Sequence, residues 1–178
     1  MTQLETAVLP TPVGLLAVVI DPVDRVLVAS GFSSLDDEQS RLPEALQARG
    51  FHAGARSVAT RQVSDAVAAY TDGDVDALDA VAVRQPGGSF LQAAWDAMRT
   101  VPAGRTVSYA ELARLAGRPN AVRAAGSACA RNMVAPFVPC HRILRSDGSL
   151  GGYYYGLPVK AALLRHEHAL AEAATLFA

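Results

Sequence analysis

With 178 residues, 51% of them apolar, the chain can bury the core of one domain or of two small ones. No apolar run is long enough to span a bilayer, and no basic stretch followed by an apolar segment opens the chain. A membrane anchor and a signal peptide are therefore not expected, and a cytoplasmic setting fits. Two cysteines, Cys129 and Cys140, make neither a disulfide framework nor a four-ligand zinc set, so no metal is expected.

The net charge of −1 conceals an asymmetry. Residues 1–89 hold six arginines against twelve acidic residues, net −6; residues 90–178 hold nine arginines and Lys160 against five, net +5. A basic C-terminal half suits an anionic partner, although a solvated face of ordinary arginines would give the same tally.

In chain order, residues 4–10, 13–20 and 25–31 read as β-strands. Thr11-Pro12-Val13-Gly14 and Asp21-Pro22-Val23-Asp24 supply the turns of an antiparallel meander. Asp36 to Arg49 reads as one helix with an acidic first turn, and a second helix runs from Ser57 or Thr60 to Tyr70. Asp76 to Val83 reads as a short strand. His52 has no metal-spaced partners and is expected at the surface or in the core.

Gln85-Pro86-Gly87-Gly88 marks a boundary. Beyond it Ser89 is expected to cap a helix that buries Phe90, Ala93, Trp95 and Met98. Ser108 and Glu111 have capping-box spacing, which predicts a helix from Tyr109 to about Ala116. Gly117-Arg118-Pro119 breaks it, and Asn120 is expected to cap a further helix reaching about Ala130. Two short helices with a tight turn resemble a helix-turn-helix. The second carries little bulk: Ala121, Ala124, Ala125, Gly126, Ser127 and Ala128. Val122, Ala125 and Cys129 form its expected buried stripe, with Cys129 inert. Its small residues suit close helix packing or, given Arg114, Arg118, Arg123 and Arg131 nearby, a phosphate backbone. A turn at Ser146-Asp147-Gly148-Ser149 and a last helix opened by Pro158 complete the chain. The fold class is thus α/β (α+β). A small antiparallel sheet-plus-helix domain over 1–85 precedes a mostly helical domain over 86–178 containing the helix-turn-helix.

The chemistry centres on Pro139-Cys140-His141-Arg142. A free thiol titrates at about pH 8.5, so Cys140 needs a neighbour to stabilise its thiolate. His141 is adjacent in sequence, which alone does not bring its ring to the sulfur.

Taken together, the ordered motifs resemble the O6-alkylguanine-DNA alkyltransferase family. These are Val107-Ser108-Tyr109, the Arg123 helix, Arg131-Asn132, Val138-Pro139-Cys140-His141-Arg142-Ile143, Gly152-Tyr153 and Leu163-Leu164-Arg165-His166-Glu167. Residues 1–88 match only in length, opening strands and position. The resemblance implies a single-turnover alkyl transfer from O6 of guanine in DNA to Cys140. It further implies that His141 takes the thiol proton through a water, Glu167 orients the imidazole, and Asn132 joins this network to the recognition helix. Tyr109 would supply a hydrogen bond or proton to the leaving guanine at N3. The target nucleotide must be extruded from the duplex. On the same resemblance, Ala121, Ala124, Ser127 and Arg131 meet double-stranded DNA in the minor groove, and Arg123 fills the gap left by the base. The carbonyls of Pro139, Cys140 and Ile143 would read the guanine amino group. Tyr153 would stack near the pocket, and the Tyr154 N–H would meet O6. Bulk at Tyr155 is expected to narrow the entrance against benzyl-sized groups.

No cofactor is implied, and no membrane partner; a monomer is expected in solution, with clustering on DNA left open. Some family members hold zinc in the N-terminal domain, but residues 1–88 contain no cysteine, so a comparable thiolate site is not expected. Three other readings are weaker. A protein that only flags the lesion would lack the reactive cysteine, a Cys-His-Glu thiol hydrolase leaves the helix-turn-helix unexplained, and a pure DNA-binding module would be unharmed by Cys140→Ser.

Overall fold

The computed structural model describes residues 1–54 and 57–170; residues 171–178 of the expected second domain lie outside the described residues. Two compact units emerge. The first comprises Met1–Gln85 together with Met133–Phe137, and the second Pro86–Asn132 with the chain from Val138 onward.

In the first unit, strands β1 (Leu4–Thr11), β2 (Gly14–Asp21) and β3 (Val26–Gly31) form the expected antiparallel meander. A fourth strand, β4 (Phe51–Ala53), pairs parallel with β1, so the sheet has order β3-β2-β1-β4 and is mixed. Three residues were too few to show a strand period in the sequence. β2 is buried without alternation from Leu16 to Asp21, because helices α1 (Leu35–Ser40) and α3 (Val58–Thr71) both pack on it. Leu4, Val19, Val28, Ala29 and Leu42 form a core cluster here. Met133–Phe137 joins this unit locally: Ser30 N–H donates to the Met133 carbonyl at 2.8 Å and Ser30 Oγ to that of Ala135 at 2.8 Å.

Two expectations in this unit fail. The helix expected over Asp36–Arg49 is two helices, α1 and α2 (Glu44–Gln47). Pro43 separates them, since it lacks an N–H and disfavours helical geometry at Leu42. The strand expected over Asp76–Val83 is a 3-10 turn at Ala77–Ala80, leaving Val83 only an isolated bridge to Leu27. The Asp79 N–H bonds back to the Asp76 carbonyl at 3.0 Å, which curls the segment before it can extend. His52 lies exposed on β4.

The second unit packs helices α4 (Ser89–Arg99), α5 (Tyr109–Leu115) and α6 (Val122–Ala130) against one another. Ser108 caps α5 as its sequence predicts, accepting from the Glu111 N–H at 3.1 Å. Ser89 is not a cap; Gly88 occupies that position and Ser89 is the first helical residue. Asn120 is not a cap either. The Ala121 N–H bonds to the Arg118 carbonyl at 2.9 Å, so the turn persists one residue longer and Ala121 precedes the helix. The buried stripe of α6 is Ala125 and Ala128 rather than the expected Val122, Ala125 and Cys129: Val122 is exposed and Cys129 half-buried. Trp95 Nε1 donates to the Ala128 carbonyl at 2.9 Å, pinning α4 to the small-residue side of α6. On α4 the buried residues are Ala94, Trp95, Ala97 and Met98, with Phe90 and Ala93 only half-buried. A two-stranded parallel pair, β5 (Val107–Ser108) with β6 (Ile143–Leu144), sets the start of α5 beside the segment that follows Cys140. Helix α7 (Leu157–His166) packs on the turn Cys140–Arg142.

Candidate active site

Cys140 sits in a single 3-10 turn, Cys140–Arg142, closed by the Arg142 N–H bonding to the Pro139 carbonyl at 3.0 Å. The Ile143 N–H bonds in turn to the Cys140 carbonyl. Two of the three carbonyls expected to read a base, those of Pro139 and Cys140, are therefore already fixed by backbone bonds. Just past the end of α6, Asn132 turns its amide inward. Its Nδ2 donates to the Val138 carbonyl at 2.7 Å and to Cys140 Sγ at 3.2 Å. The thiol is thereby tied to the segment just past α6.

Cys140 is 7% exposed, and that exposure opens onto a cavity of about 210 Å³. Tyr109, Cys129, Gly152, Tyr153 and Tyr154 share its wall with the thiol, and Gly126 and Ala130 bring α6 to its edge. Gly151, beside this wall, has φ +68°, and a Cβ there would lie 2.9 Å from the Tyr109 hydroxyl. Only glycine fits both the backbone and the phenol. Burial raises the Tyr109 pKa, and the two nearby thiols raise it further, so the phenol stays protonated and able to donate.

Behind Cys140 lies a buried charge network. His141 Nε2 lies 2.9 Å from Glu167 Oε1, and the same carboxylate accepts from Arg142 Nε at 2.9 Å and Nη2 at 3.0 Å. Arg142 Nη1 donates to the Val101 carbonyl at 2.6 Å. Burial lowers the His141 pKa more than Glu167 raises it, so the imidazole rests neutral. Burial also pushes the Glu167 carboxyl up, but its cationic and hydrogen-bonding partners outweigh that and hold it well below the ordinary range. With His141 neutral, the permanent guanidinium of Arg142 is the partner that keeps Glu167 ionised. An ionised Glu167 accepts only, so the ring proton belongs on Nε2. That leaves Nδ1 with its lone pair, buried and without a hydrogen-bond partner among the described residues.

This arrangement is a thiol on the wall of an apolar cavity, a phenol donor across from it, and a neutral imidazole backed by a buried carboxylate. Comparison with known proteins places it. The family described as 6-O-methylguanine DNA methyltransferase, DNA binding domain, matches residues 89–169. A methylated-DNA–protein-cysteine methyltransferase of Salmonella typhimurium is 33% identical over 170 residues, spanning 94% of this chain and 97% of its own. The chain belongs to the methylated-DNA–protein-cysteine methyltransferase family.

Similarity to other members of the family is also partial or structural. The bifunctional transcriptional activator/DNA repair enzyme Ada of Escherichia coli is 54% identical over 81 residues, 46% of this chain. This chain spans only 23%, 32% and 44% of the first three curated relatives it matches. Mycobacterium tuberculosis OGT, crystallised in complex with DNA, superposes with a TM-score of 0.73 at 30% identity, covering 94% of both chains.

Within this methyltransferase-family site, the structure gathers Cys140, His141, Glu167, Asn132 and Tyr109 as a group. Pro139 and Ile143 bracket the thiol-bearing turn. Tyr153 and Tyr154 line the cavity, but Tyr155 does not. Its ring packs edge-on behind both, 5.7 Å from the Tyr153 centroid and 5.0 Å from that of Tyr154. The expectation that Tyr155 itself narrows the entrance is therefore corrected: Tyr154, 60% exposed at the rim, holds that place. Arg123, Ser127 and Arg131 are exposed along or just past α6, with Ala121 and Ala124 half-buried. Arg114 is engaged by Glu111 at 2.6 Å, and Arg118 lies 5.8 Å from the Phe90 ring centroid.

Sequence reasoning missed three participants. Cys129, expected on the buried stripe, faces the cavity instead; burial first and then Cys140 push its thiol up, which keeps it protonated and inert as expected. Arg142 was read only as part of a motif, although an arginine beside a Cys-His pair could have signalled a buried carboxylate partner. Lys160 was counted only as charge and is fully buried.

Proposed function

We propose that this chain repairs alkylated DNA by direct reversal, taking a methyl or other alkyl group from O6 of guanine onto Cys140. The observation that carries this is the placement of Cys140 Sγ on the cavity wall, bonded by Asn132, with the His141–Glu167–Arg142 network behind it. His141 Nδ1 takes the thiol proton through a water, and Glu167 stabilises the imidazolium that forms. The thiolate attacks the alkyl carbon in line. The S–C bond forms as the C–O6 bond breaks, and the electron pair goes to the purine. Tyr109 donates to N3, so guanine does not depart as an anion. The product is a stable thioether, so each molecule acts once.

A base within a duplex cannot present its O6 substituent in line to a thiol on a cavity wall, so the nucleotide is extruded. The low bulk of α6, with Arg123 exposed on it and Arg131 exposed just past its end, supports docking in the minor groove, Arg123 occupying the space the base leaves. Ala121, Ala124, Ser127 and Arg131 lie along the contacting stretch. Minor-groove docking permits little sequence readout, which suits a protein that must act wherever a lesion falls. On the same reading the protein works as a monomer in solution.

The test is intact-mass analysis after mixing with a duplex carrying one O6-methylguanine. The expected result is a gain of one CH2 per chain, mapped to Cys140 and absent from Cys140→Ser, with guanine restored in the duplex. An unmodified protein beside a persistent lesion overturns the reading.

A further inference from the structure

Lys160 is the sole lysine in a chain that otherwise draws its positive charge from fifteen arginines. It is also fully buried, on α7 beside the active turn. Its Nζ donates to the Ile143 carbonyl at 2.7 Å, to the Leu150 carbonyl, and to the Gly152 carbonyl at 3.4 Å. All three acceptors are uncharged carbonyls.

The choice of lysine over arginine follows from this geometry. Three carbonyls converging on one point match an ammonium, which places three donors on a single nitrogen. A guanidinium spreads its donors over a planar fork and cannot meet one point from three sides. Burial without a carboxylate partner is costly for the cation and pushes its pKa down to about 8, with the Cys140 and Cys129 thiols opposing that shift and Arg145 adding to it. The three converging carbonyls therefore form a site for an ammonium that a guanidinium does not fit.

What the ammonium joins is informative. Ile143 directly follows the Cys140 turn, whereas Leu150 and Gly152 belong to the loop whose Gly152, Tyr153 and Tyr154 line the cavity. One nitrogen therefore sets the spacing between the thiol-bearing segment and the loop carrying Tyr153 and Tyr154. It also fixes the direction of the Ile143 carbonyl, which can accept a second hydrogen bond.

We infer that Lys160 is a positioning residue for base recognition. It clamps the Ile143 carbonyl against the Leu150–Gly152 loop so that this carbonyl meets the 2-amino group of an extruded guanine. The inference rests on the proposed reading of the cavity as a site for alkylated guanine. Lys160 touches neither the alkyl carbon nor the thiol proton. Its loss should therefore act on discrimination between bases rather than uniformly on the chemistry.

The experiment compares the full chain with Lys160→Met and Lys160→Arg in single-turnover transfer. Two duplexes are used, carrying O6-methylguanine or O6-methylhypoxanthine, which lacks only the 2-amino group. Wild-type reaction with methylguanine is the arm that tests the reading of the site; its absence overturns that reading. Given wild-type transfer, Lys160→Met is expected to slow methylguanine by roughly tenfold while changing methylhypoxanthine little, the worth of one well-placed hydrogen bond. Lys160→Arg is expected not to rescue. Equal slowing of both substrates, no slowing, or rescue by arginine overturns the inference. If circular dichroism shows Lys160→Met unfolded, folded Cys140→Ser labelled with 15N-lysine gives a single Nζ signal. Its shift on binding should differ between the two duplexes, and identical shifts overturn the inference.

Discussion

Glu167 Oε1 lies 2.9 Å from His141 Nε2 and 3.0 Å from Arg142 Nη2, so one buried carboxylate orients the imidazole while a permanent cation holds the carboxylate. The two partners have different jobs. In the proposed mechanism His141 is the group whose charge changes, and Arg142 keeps Glu167 ionised beforehand. Replacing Glu167 with Gln keeps an oxygen near Nε2 but removes the countercharge for the imidazolium. Alkyl transfer should fall by about 100-fold, the ordinary size of a general-base contribution. Arg142→Met should instead appear mainly in stability, losing about 3–5 kcal/mol because an unpaired carboxylate remains buried. Single-turnover rates and urea denaturation, measured on both variants, separate the two effects.

The same network fixes the acid limb of stability. The folded pKa of His141 lies below its ordinary value of 6.5, so above pH 6.5 both folded and unfolded states are neutral and nothing is lost. Below it the unfolded chain takes up a proton that the folded chain refuses, and stability falls. Glu167 adds a second limb: its contribution is complete above the ordinary 4.5 and disappears as pH falls toward its depressed folded value. Thermal melts should therefore show a plateau from about pH 6.5 to about pH 8, where Lys160 begins to titrate, and a two-stage decline beneath pH 6.5. Glu167→Gln should remove the lower stage. A melting temperature that rises on acidification contradicts this account.

Part of this site was legible in the sequence, and the boundary has physical causes. The Ser108–Glu111 box gave the start of α5 correctly because an N-cap is a local device, settled within four residues. Asn120 failed as a cap for the complementary reason: a backbone turn at Arg118–Ala121 decided the helix start, and side-chain type could not reveal it. Pro43 was visible and should have divided the helix over Asp36–Arg49. Glu167, 26 residues from its imidazole partner, was reachable only through the ordered family resemblance, since no local rule links them. Lys160 gave a signal of another kind, a composition outlier of one residue, whose meaning needed the three carbonyls that surround it.

The tyrosine run offers a test of substrate size. Tyr154 stands at the cavity rim, and Tyr155 buttresses it edge-on at 5.0 Å. A benzyl substituent must share that space, whereas a methyl group does not. Wild-type protein should therefore react with O6-methylguanine far faster than with O6-benzylguanine in matched oligonucleotides. Tyr154→Ala should narrow the gap by about tenfold or more, the scale at which pockets discriminate on bulk. Tyr155→Ala should act in the same direction but more weakly, because it reaches the rim only through its neighbour. Equal benzyl and methyl rates in the wild type sink the idea.

Arg123 allows the nucleic-acid role to be separated from the chemistry. Its side chain is exposed on α6 and lies outside the set of residues that line the cavity. If it holds the duplex open after the base has left, it matters only when the base must be taken from a stack. Unstacking and unpairing cost a few kcal/mol, so Arg123→Ala should slow transfer from a duplex by roughly 10- to 100-fold. The same variant should react normally with free O6-methylguanine base, which needs no extrusion. Placing the lesion opposite an abasic site, where pairing is already lost, should recover part of the duplex rate. A variant slowed equally on free base and duplex would assign Arg123 to the cavity's integrity. One unaffected on either substrate would leave α6 with only its packing role through Ala125 and Ala128.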